Sequence, residues 1–269
     1  METKHSASDA SCGCRRHAHR CEHWGLWLLA AVLGVLYVIG KRQRPKIRFV
    51  EEMDTVSEPE EVQAWMTVSR MPQFHLMRKL LVQHALKGRL TARVLDVGSG
   101  VGRLTMLLAR QPQVTEAVGI DLSDALVHQA RQTAEEQGIE ARFMQVDAAE
   151  MPFADASFDV VVSAFSLHHW SNPQQVLSEM RRVLAPGGQA YIFDFRRDAR
   201  PLFYGLATVI AHCLAPRIAR EHGEPVSSLQ SAYTAPEIAI LAYKAGWPNP
   251  SVSNKGPAGL LLELKKDEC

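Results

Sequence analysis

At 269 residues, with 46% hydrophobic and 22% charged side chains, the chain has an ordinary globular composition and room for one large α/β domain with appendages. A formal net charge of +1 gives no reason to expect nucleic acid as a partner. Five cysteines, three of them crowded into the first 21 residues, make no disulfide framework, so the bulk of the chain is expected in a reducing compartment.

The first 23 residues read as a flexible tail. Its stretch CGCRRHAHRCEH gathers Cys12, Cys14, Cys21, His17, His19 and His23, donors suited to zinc or copper. Their spacing fits no standard finger or ribbon and ordering such a tail is costly, so no metal site is expected. A basic tail, or cysteines open to lipidation beside a membrane, are the alternatives.

Residues 24–40, WGLWLLAAVLGVLYVIG, carry no charged side chain. As a helix they would run about 25 Å against a hydrocarbon core of about 30 Å, the short end of the spanning range. Trp24, Trp27 and Tyr37 sit towards the ends, and KRQRPKIR follows at once. No small-x-small cleavage site follows, which argues against a signal peptide. Nothing in the sequence marks a surface for the segment to pack on, so a single-pass membrane anchor is expected in preference to a buried core helix. A basic linker follows at 41–58. Its five basic residues between 41 and 48, against Lys4, Arg15, Arg16 and Arg20 upstream, favour a cytosolic position for everything after the anchor.

Two helices are predicted next, over 59–88. Pro59 opens EEVQAWMTVSR, and Pro72 opens QFHLMRKLLVQHALKG, where Phe74, Met77, Leu81, His84 and Ala85 share a face before a glycine stop. Both are expected to lie against a domain spanning 89–269. There ARVLDV, EAVGID, ARFMQVD, FDVVVSAF and QAYIFDF read as strands alternating with helical patterns. Those helices are marked by Leu104, Leu107 and Leu108, by Leu122, Leu126, Gln129, Ala130 and Thr133, and by Val176, Leu177, Met180, Val183 and Leu184 before Pro186. An apolar insert over about 198–233 interrupts the repeat, and a helix capped by Thr234 and closed by Gly246 follows. NPSVSN and GLLLELKK are then joined by a link too short for anything but antiparallel pairing. The expected class is α/β: a doubly wound, mostly parallel seven-stranded sheet of Rossmann-like type with its last strand antiparallel, plus the N-terminal anchor helix. In such sheets ligands sit beyond the carboxyl ends of the strands, where Asp96, Asp121, Asp147, Ser163 and Asp194 fall.

The glycine stretch VLDVGSGVGRLT argues against one ligand class and leaves the choice among the others to its surroundings. A dinucleotide fingerprint needs G-x-G-x-x-G, but Gly98, Gly100 and Gly102 follow G-x-G-x-G and Arg103 stands where a third spaced glycine belongs. The constellation DVGSGVG, GIDLS, QVDAAEMPFADASFDVVVSAFSLHHW and EMRRVLAPGGQAYIFDF resembles the class I S-adenosylmethionine-dependent methyltransferases. Within them it is similar to the branch holding quinone-biosynthesis and many small-molecule enzymes, and the resemblance is close over 90–195. It implies S-adenosylmethionine as co-substrate, with its methionine part over the loop of Gly98, Ser99, Gly100 and Gly102 and its amino group near Asp96. It implies further that Asp121 accepts from the ribose hydroxyls and that Leu122 lies under adenine. Asp147 and Ala148 would contact adenine's exocyclic amine, and Ser163 would lie near the reactive methyl. Each carboxylate has a plainer reading as well: Asp121 as a helix cap, Asp147 as the start of a turn, Asp194 as a solvated strand end.

The co-substrate supplies its own electrophile and leaving group, so a general base is needed only for a protonated acceptor. His168, in FSLHHW, is the candidate base, with a structural histidine as the rival reading. The insert's Leu202, Phe203, Tyr204, Leu206, Val209 and Ile210 would make either a greasy acceptor lid or a helix that merely covers the sheet. Together with the anchor they favour a lipophilic acceptor at a membrane surface, such as a quinone precursor or a phospholipid amine. Two other readings stay open: a non-catalytic S-adenosylmethionine-binding protein, and a NAD-type oxidoreductase, which the glycine spacing disfavours.

Overall fold

The computed structural model describes residues 14–49, 56–213, 217, 220 and 224–268, with backbone alone at 14–25. Most of the expected tail, including Cys12, and residues 50–55 of the expected linker lie outside the described residues, as does part of the insert.

Seven strands form one sheet in the order β3-β2-β1-β4-β5-β7-β6. They are β1 Ala92–Val97, β2 Val114–Asp121, β3 Arg142–Gln145, β4 Phe158–Ala164, β5 Leu184–Phe195, β6 Ser251–Lys255 and β7 Gly259–Lys265. All neighbouring pairs among the first five are parallel, and β7 runs antiparallel to both β5 and β6. The strand order reverses between β1 and β4, which opens a crevice at their carboxyl ends.

Strand pleating sends alternate side chains into two cores. Leu95, Val97, Val161, Ile192 and Leu262 fill one. Val94, Val160, Val162, Tyr191 and Leu261 fill the other. Both faces are covered by helices, which is why the central strands are near-continuous apolar runs.

Helices α2 (Pro59–Ser69) and α3 (Pro72–Ala85) each start on proline, whose fixed φ suits the first helical position, and α2 has a Glu58–Glu61 capping box. Of the expected α3 face, Leu81 and Ala85 are buried with Val82, and His84 is exposed. Helix α4 (Arg103–Ala109) and α5 (Asp124–Glu136) follow β1 and β2. The buried face of α5 is Leu126, Val127, Ala130 and Ala134, one position round from the expected Gln129 and Thr133, because Ser123 caps the helix and sets its phase. Helix α6 (Pro173–Val183) buries Val176, Leu177, Met180 and Val183. It ends before Leu184, and β5 already includes Pro186, so the proline lies within a strand rather than ending the helix. Helices α7 (Pro201–Cys213), α8 (Val226–Ser231) and α9 (Ala235–Lys244, with a Thr234–Glu237 capping box) follow β5, and a 3-10 turn at Leu167–His169 follows β4.

The N-terminal helix α1 runs Cys14–Gln43, 30 residues, longer than the apolar stretch itself. Within it Leu26–Gln43 has a mean hydropathy of 1.4, is 6% buried, and is long and apolar enough to cross a membrane. The expectation that α1 has nothing to pack on is corrected, because it lies along α7. A Cβ on Gly40 would sit 1.6 Å from the Pro201 carbonyl oxygen, and one on Gly205 would sit 1.9 Å from that of Leu36. As residue number falls from 40 to 36 on α1 it rises from 201 to 205 on α7, so the two helices are antiparallel. The segment after α1 is strapped to the domain rather than free as a linker. Phe49 N–H donates to the Gln230 carbonyl, and Arg48 donates to the Ser231 and His168 carbonyls while stacking 4.1 Å above the Tyr233 ring.

Candidate functional site

A cleft of about 1730 Å³ lies beyond the carboxyl ends of β1, β4 and β5, bounded by α2, α3 and α7. Pockets for one drug-sized ligand measure roughly 300–1,000 Å³, so this cleft has room for two.

One end is polar and is built on the turn after β1. Gly98, Gly100 and Gly102 hold φ of +72°, +53° and +75°, which only glycine adopts without strain. The three do different work. Gly98 and Gly100 line the cleft, and nothing lies within 4 Å of where a Gly100 side chain would begin. Gly102 turns away, and a Cβ there would meet Phe143 at 2.6 Å and Ala130 at 2.9 Å. It therefore permits close packing of α4 against β3 and α5, the role a dinucleotide fold gives its third glycine, and it lines no part of the cleft. Asp121 ties the turn down: one carboxylate oxygen accepts from Gly100 N–H at 2.7 Å and the other from Ser123 N–H at 3.1 Å. Burial raises this carboxyl above its ordinary value, opposed by the two backbone donors. The cap of α5 is Ser123, so Asp121 is not the helix cap that the plainer reading offered.

Beside the turn a smaller recess of about 80 Å³ is lined by Asp96, Ser99, Gly100, Arg78 and Arg103. Asp96 is 1% exposed, accepts from the Thr105 hydroxyl at 2.7 Å, and is raised to about 7, first by burial. Burial likewise lowers Arg78, to about 10, with the Arg103 charge adding to it. Ser99 Oγ is buried without a hydrogen-bond partner. An acid, a guanidinium and an open hydroxyl in one recess suit an amino acid's charged end. Arg78 was not legible as a site residue, since it sits in an ordinary basic position of α3 and only the fold turns it inward.

Leu122, Asp147 and Ala148 line the cleft beyond Asp121. Asp147 is exposed and accepts from Ala149 N–H at 2.8 Å, the turn of its plainer reading. Ser163 departs from expectation: it lies inside β4, fully buried, its Oγ has no partner, and it does not line the cleft. The strand runs on to Ala164, so the loop position belongs to Ser166, whose Oγ accepts from Trp170 Nε1 at 2.9 Å. A Cβ on Gly98 would fall 1.9 Å from that Oγ, so the two loops touch at the floor of the cleft.

Asp194 is no solvated strand end. His168 Nδ1 lies 2.7 Å from Asp194 Oδ1, both side chains 1% exposed, and Asp194 also accepts from the backbone N–H of His168 and Phe195. The carboxylate thus fixes the ring with Nδ1 as donor. His168 lines the cleft, and the His169 ring stacks obliquely on it at 4.0 Å.

The other end is apolar. Phe165 holds φ +60°, a strained conformation for an aromatic residue, and packs edge-on against Phe74 and Phe193. Phe203, Leu206 and Ile210 of the expected lid line the cleft, whereas Leu202 and Val209 face outward. Tyr204 is fully buried and belongs to the packing, its hydroxyl within 3.0 Å of the Arg197 and Leu229 carbonyls. Among the described residues no group of three or more His, Cys, Asp or Glu side chains could hold a metal ion, and Cys213 is an exposed free thiol.

A family model described as a methyltransferase domain matches residues 95–192. A demethylmenaquinone methyltransferase of Deinococcus radiodurans is 38% identical over 152 residues, covering 56% of this chain and 61% of that protein. A phosphatidylethanolamine N-methyltransferase of Cereibacter sphaeroides is 41% identical over 113 residues, covering 41% and 54%. The chain therefore spans between about half and three-fifths of the length of these relatives. A solved S-adenosylmethionine-dependent methyltransferase from Aquifex aeolicus shares the fold, with a TM-score of 0.60 at 18% identity over 77% of this chain and 98% of that one. Matched in sequence from the glycine turn through the β4 loop, and in fold across the whole sheet, residues 95–192 form a methyltransferase domain of the class I S-adenosylmethionine-dependent type.

Proposed function

We propose that the chain transfers a methyl group from S-adenosylmethionine to a small lipophilic acceptor at a membrane surface, with α1 as a single-pass anchor and the domain on the cytosolic side. The observation that carries this reading is one continuous cleft with a polar end on the glycine turn and a phenylalanine-rich end under α7. The relatives named for a demethylated quinone and for a phospholipid amine support the acceptor class.

When bound, S-adenosylmethionine supplies an electrophilic methyl on a sulfonium that collapses to a neutral leaving group. The chain's task is then positioning and exclusion of water. Asp96 and Arg78 would hold the amino and carboxylate groups in the small recess. Asp121 has lone pairs left after its two backbone contacts and would accept from the ribose hydroxyls, with Leu122 against the purine and Asp147 and Ala148 at its edge. His168, its Nδ1 proton held by Asp194, would take a proton at Nε2 from an acceptor that must lose one.

Incubating the full chain in liposomes with labelled S-adenosylmethionine and a membrane lipid extract, then identifying the labelled product by mass spectrometry, tests the reading. A methylated lipid of quinone or amine type supports it. Tight S-adenosylmethionine binding without any labelled product would identify a non-catalytic binder, and labelling confined to water-soluble acceptors would overturn the acceptor class.

A further inference from the structure

We infer that α7 is a second bilayer-inserted element. On this inference it lies beside α1 in the membrane and opens the apolar end of the cleft directly into hydrocarbon, so that a lipid acceptor enters sideways with its tail still in the bilayer. The inference rests on the reading of α1 as a membrane helix and goes beyond it, because an anchor alone only tethers a domain whose cleft faces water.

The geometry makes the two helices inseparable. Gly40 and Gly205 bring the backbones of α1 and α7 into contact, with a side chain at either position colliding with the partner's carbonyl oxygens. Small residues at such crossings are how helices associate in lipid, where burial of apolar surface gives no advantage. Because the helices are antiparallel and meet at the C-terminal half of α1, whatever surrounds residues 28–40 also surrounds α7.

The sequence of α7 suits that setting. PLFYGLATVIAHC has no charged side chain across its 13 residues. The Thr208 hydroxyl donates to the Tyr204 carbonyl and His212 Nδ1 to that of Thr208, both within the helix, while the Tyr204 hydroxyl is buried against the Arg197 and Leu229 carbonyls of the domain. Leu202 and Val209 are exposed, 40% and 37%, as are Leu33, Val35 and Val38 on the helix packed beside it. At the end where α1 stops and α7 starts, Lys41, Arg42 and Arg200 are all exposed, a cationic rim placed for anionic headgroups. From that rim 13 residues of helix reach about 20 Å, against a hydrocarbon core of about 30 Å, so α7 would dip in without crossing.

The function follows from the other face of the same helix. Phe203, Leu206 and Ile210 wall the apolar end of the cleft, and Leu206 is also 46% exposed, which places it at the mouth. With α7 at membrane depth that mouth opens into acyl chains. A lipid with its reactive group near headgroup level then reaches the glycine turn without leaving the bilayer.

The test is power-saturation EPR on the full chain reconstituted in phosphatidylcholine–phosphatidylglycerol vesicles. Single nitroxides are placed at Leu202→Cys, at Val209→Cys, or on native Cys213, with the remaining cysteines replaced by serine. Val35→Cys on α1 and Ile240→Cys on α9 serve as references. The expected result is oxygen accessibility exceeding that of a water-soluble nickel complex at 202, 209 and 213, deeper at 209 than at 202, with 240 showing the reverse. Water-side readings at both 209 and 213 with 35 in lipid would overturn the inference while the anchor stands. Water-side readings at 35 as well would overturn the anchor reading and this inference together. The label on Cys213 needs no substitution within α7, so a failure of one variant to fold leaves the test intact.

Discussion

At Asp96 the recess stores a titration. Burial raises this carboxyl to about 7, above its value in an unfolded chain, so the ligand-free fold is favoured at low pH and loses stability as pH climbs through about 7. A bound ammonium group would reverse the balance by favouring the carboxylate. Affinity for S-adenosylmethionine is therefore expected to rise between pH 6 and 8, with a proton released on binding. Calorimetry at pH 6 in two buffers of different protonation enthalpy checks this, and Asp96→Asn should abolish the release. His168→Ala is expected to lower turnover about 10²-fold or more on an acceptor that must lose a proton while leaving S-adenosylmethionine affinity within about threefold. Unchanged turnover would reduce His168 to a structural residue. Asp194→Asn should approach the same loss through the wrong ring tautomer and orientation, with a shifted pH profile as its signature.

At the level of elements, two glycines act by what they leave out. Gly102→Ala adds a methyl group at positive φ against Phe143 and Ala130, and is expected to cost about 1–3 kcal/mol in urea unfolding, because both neighbours are buried in the core. Gly205→Leu should act elsewhere, prising α7 from α1 while the sheet stays intact. Its expected signature is unchanged S-adenosylmethionine affinity with at least tenfold slower methylation of a bilayer acceptor, measured in the liposome assay. Loss of cofactor binding in this variant would mean that α7 supports the core and not only the cleft mouth. The strap at Arg48 is a third device of this kind, since its contacts with Tyr233 and the His168 carbonyl tie the exit of the N-terminal helix to the loop that carries the candidate base.

For the whole molecule, removing residues 1–46 leaves the strap, the sheet and the cleft but deletes α1 and bares the glycine face of α7. The truncated chain is expected to bind S-adenosylmethionine as before and to associate with vesicles more weakly than the full chain, by flotation, retaining some binding through α7. Equal activity of both forms on a dispersed lipid acceptor would count against a membrane route to the cleft. The strands, the alternation with helices, the glycine turn and the carboxylates at Asp96 and Asp121 were legible because each is written in consecutive residues: period-two and period-3.6 patterns, proline and capping signals, glycines at a turn. The rest depends on groups brought together from far apart. Asp194 paired with His168, Arg78 turned into the recess, Ser166 rather than Ser163 at the loop, and α1 laid on α7 through Gly40 and Gly205 have no local signature. The sequence by itself determined the sheet and its glycine turn, since hydrophobic periodicity and backbone freedom are local properties, and its resemblance to a known family supplied the class of ligand. Only the tertiary structure decided which polar groups are buried together and where the apolar helix rests, because desolvation and packing exist only once distant segments meet.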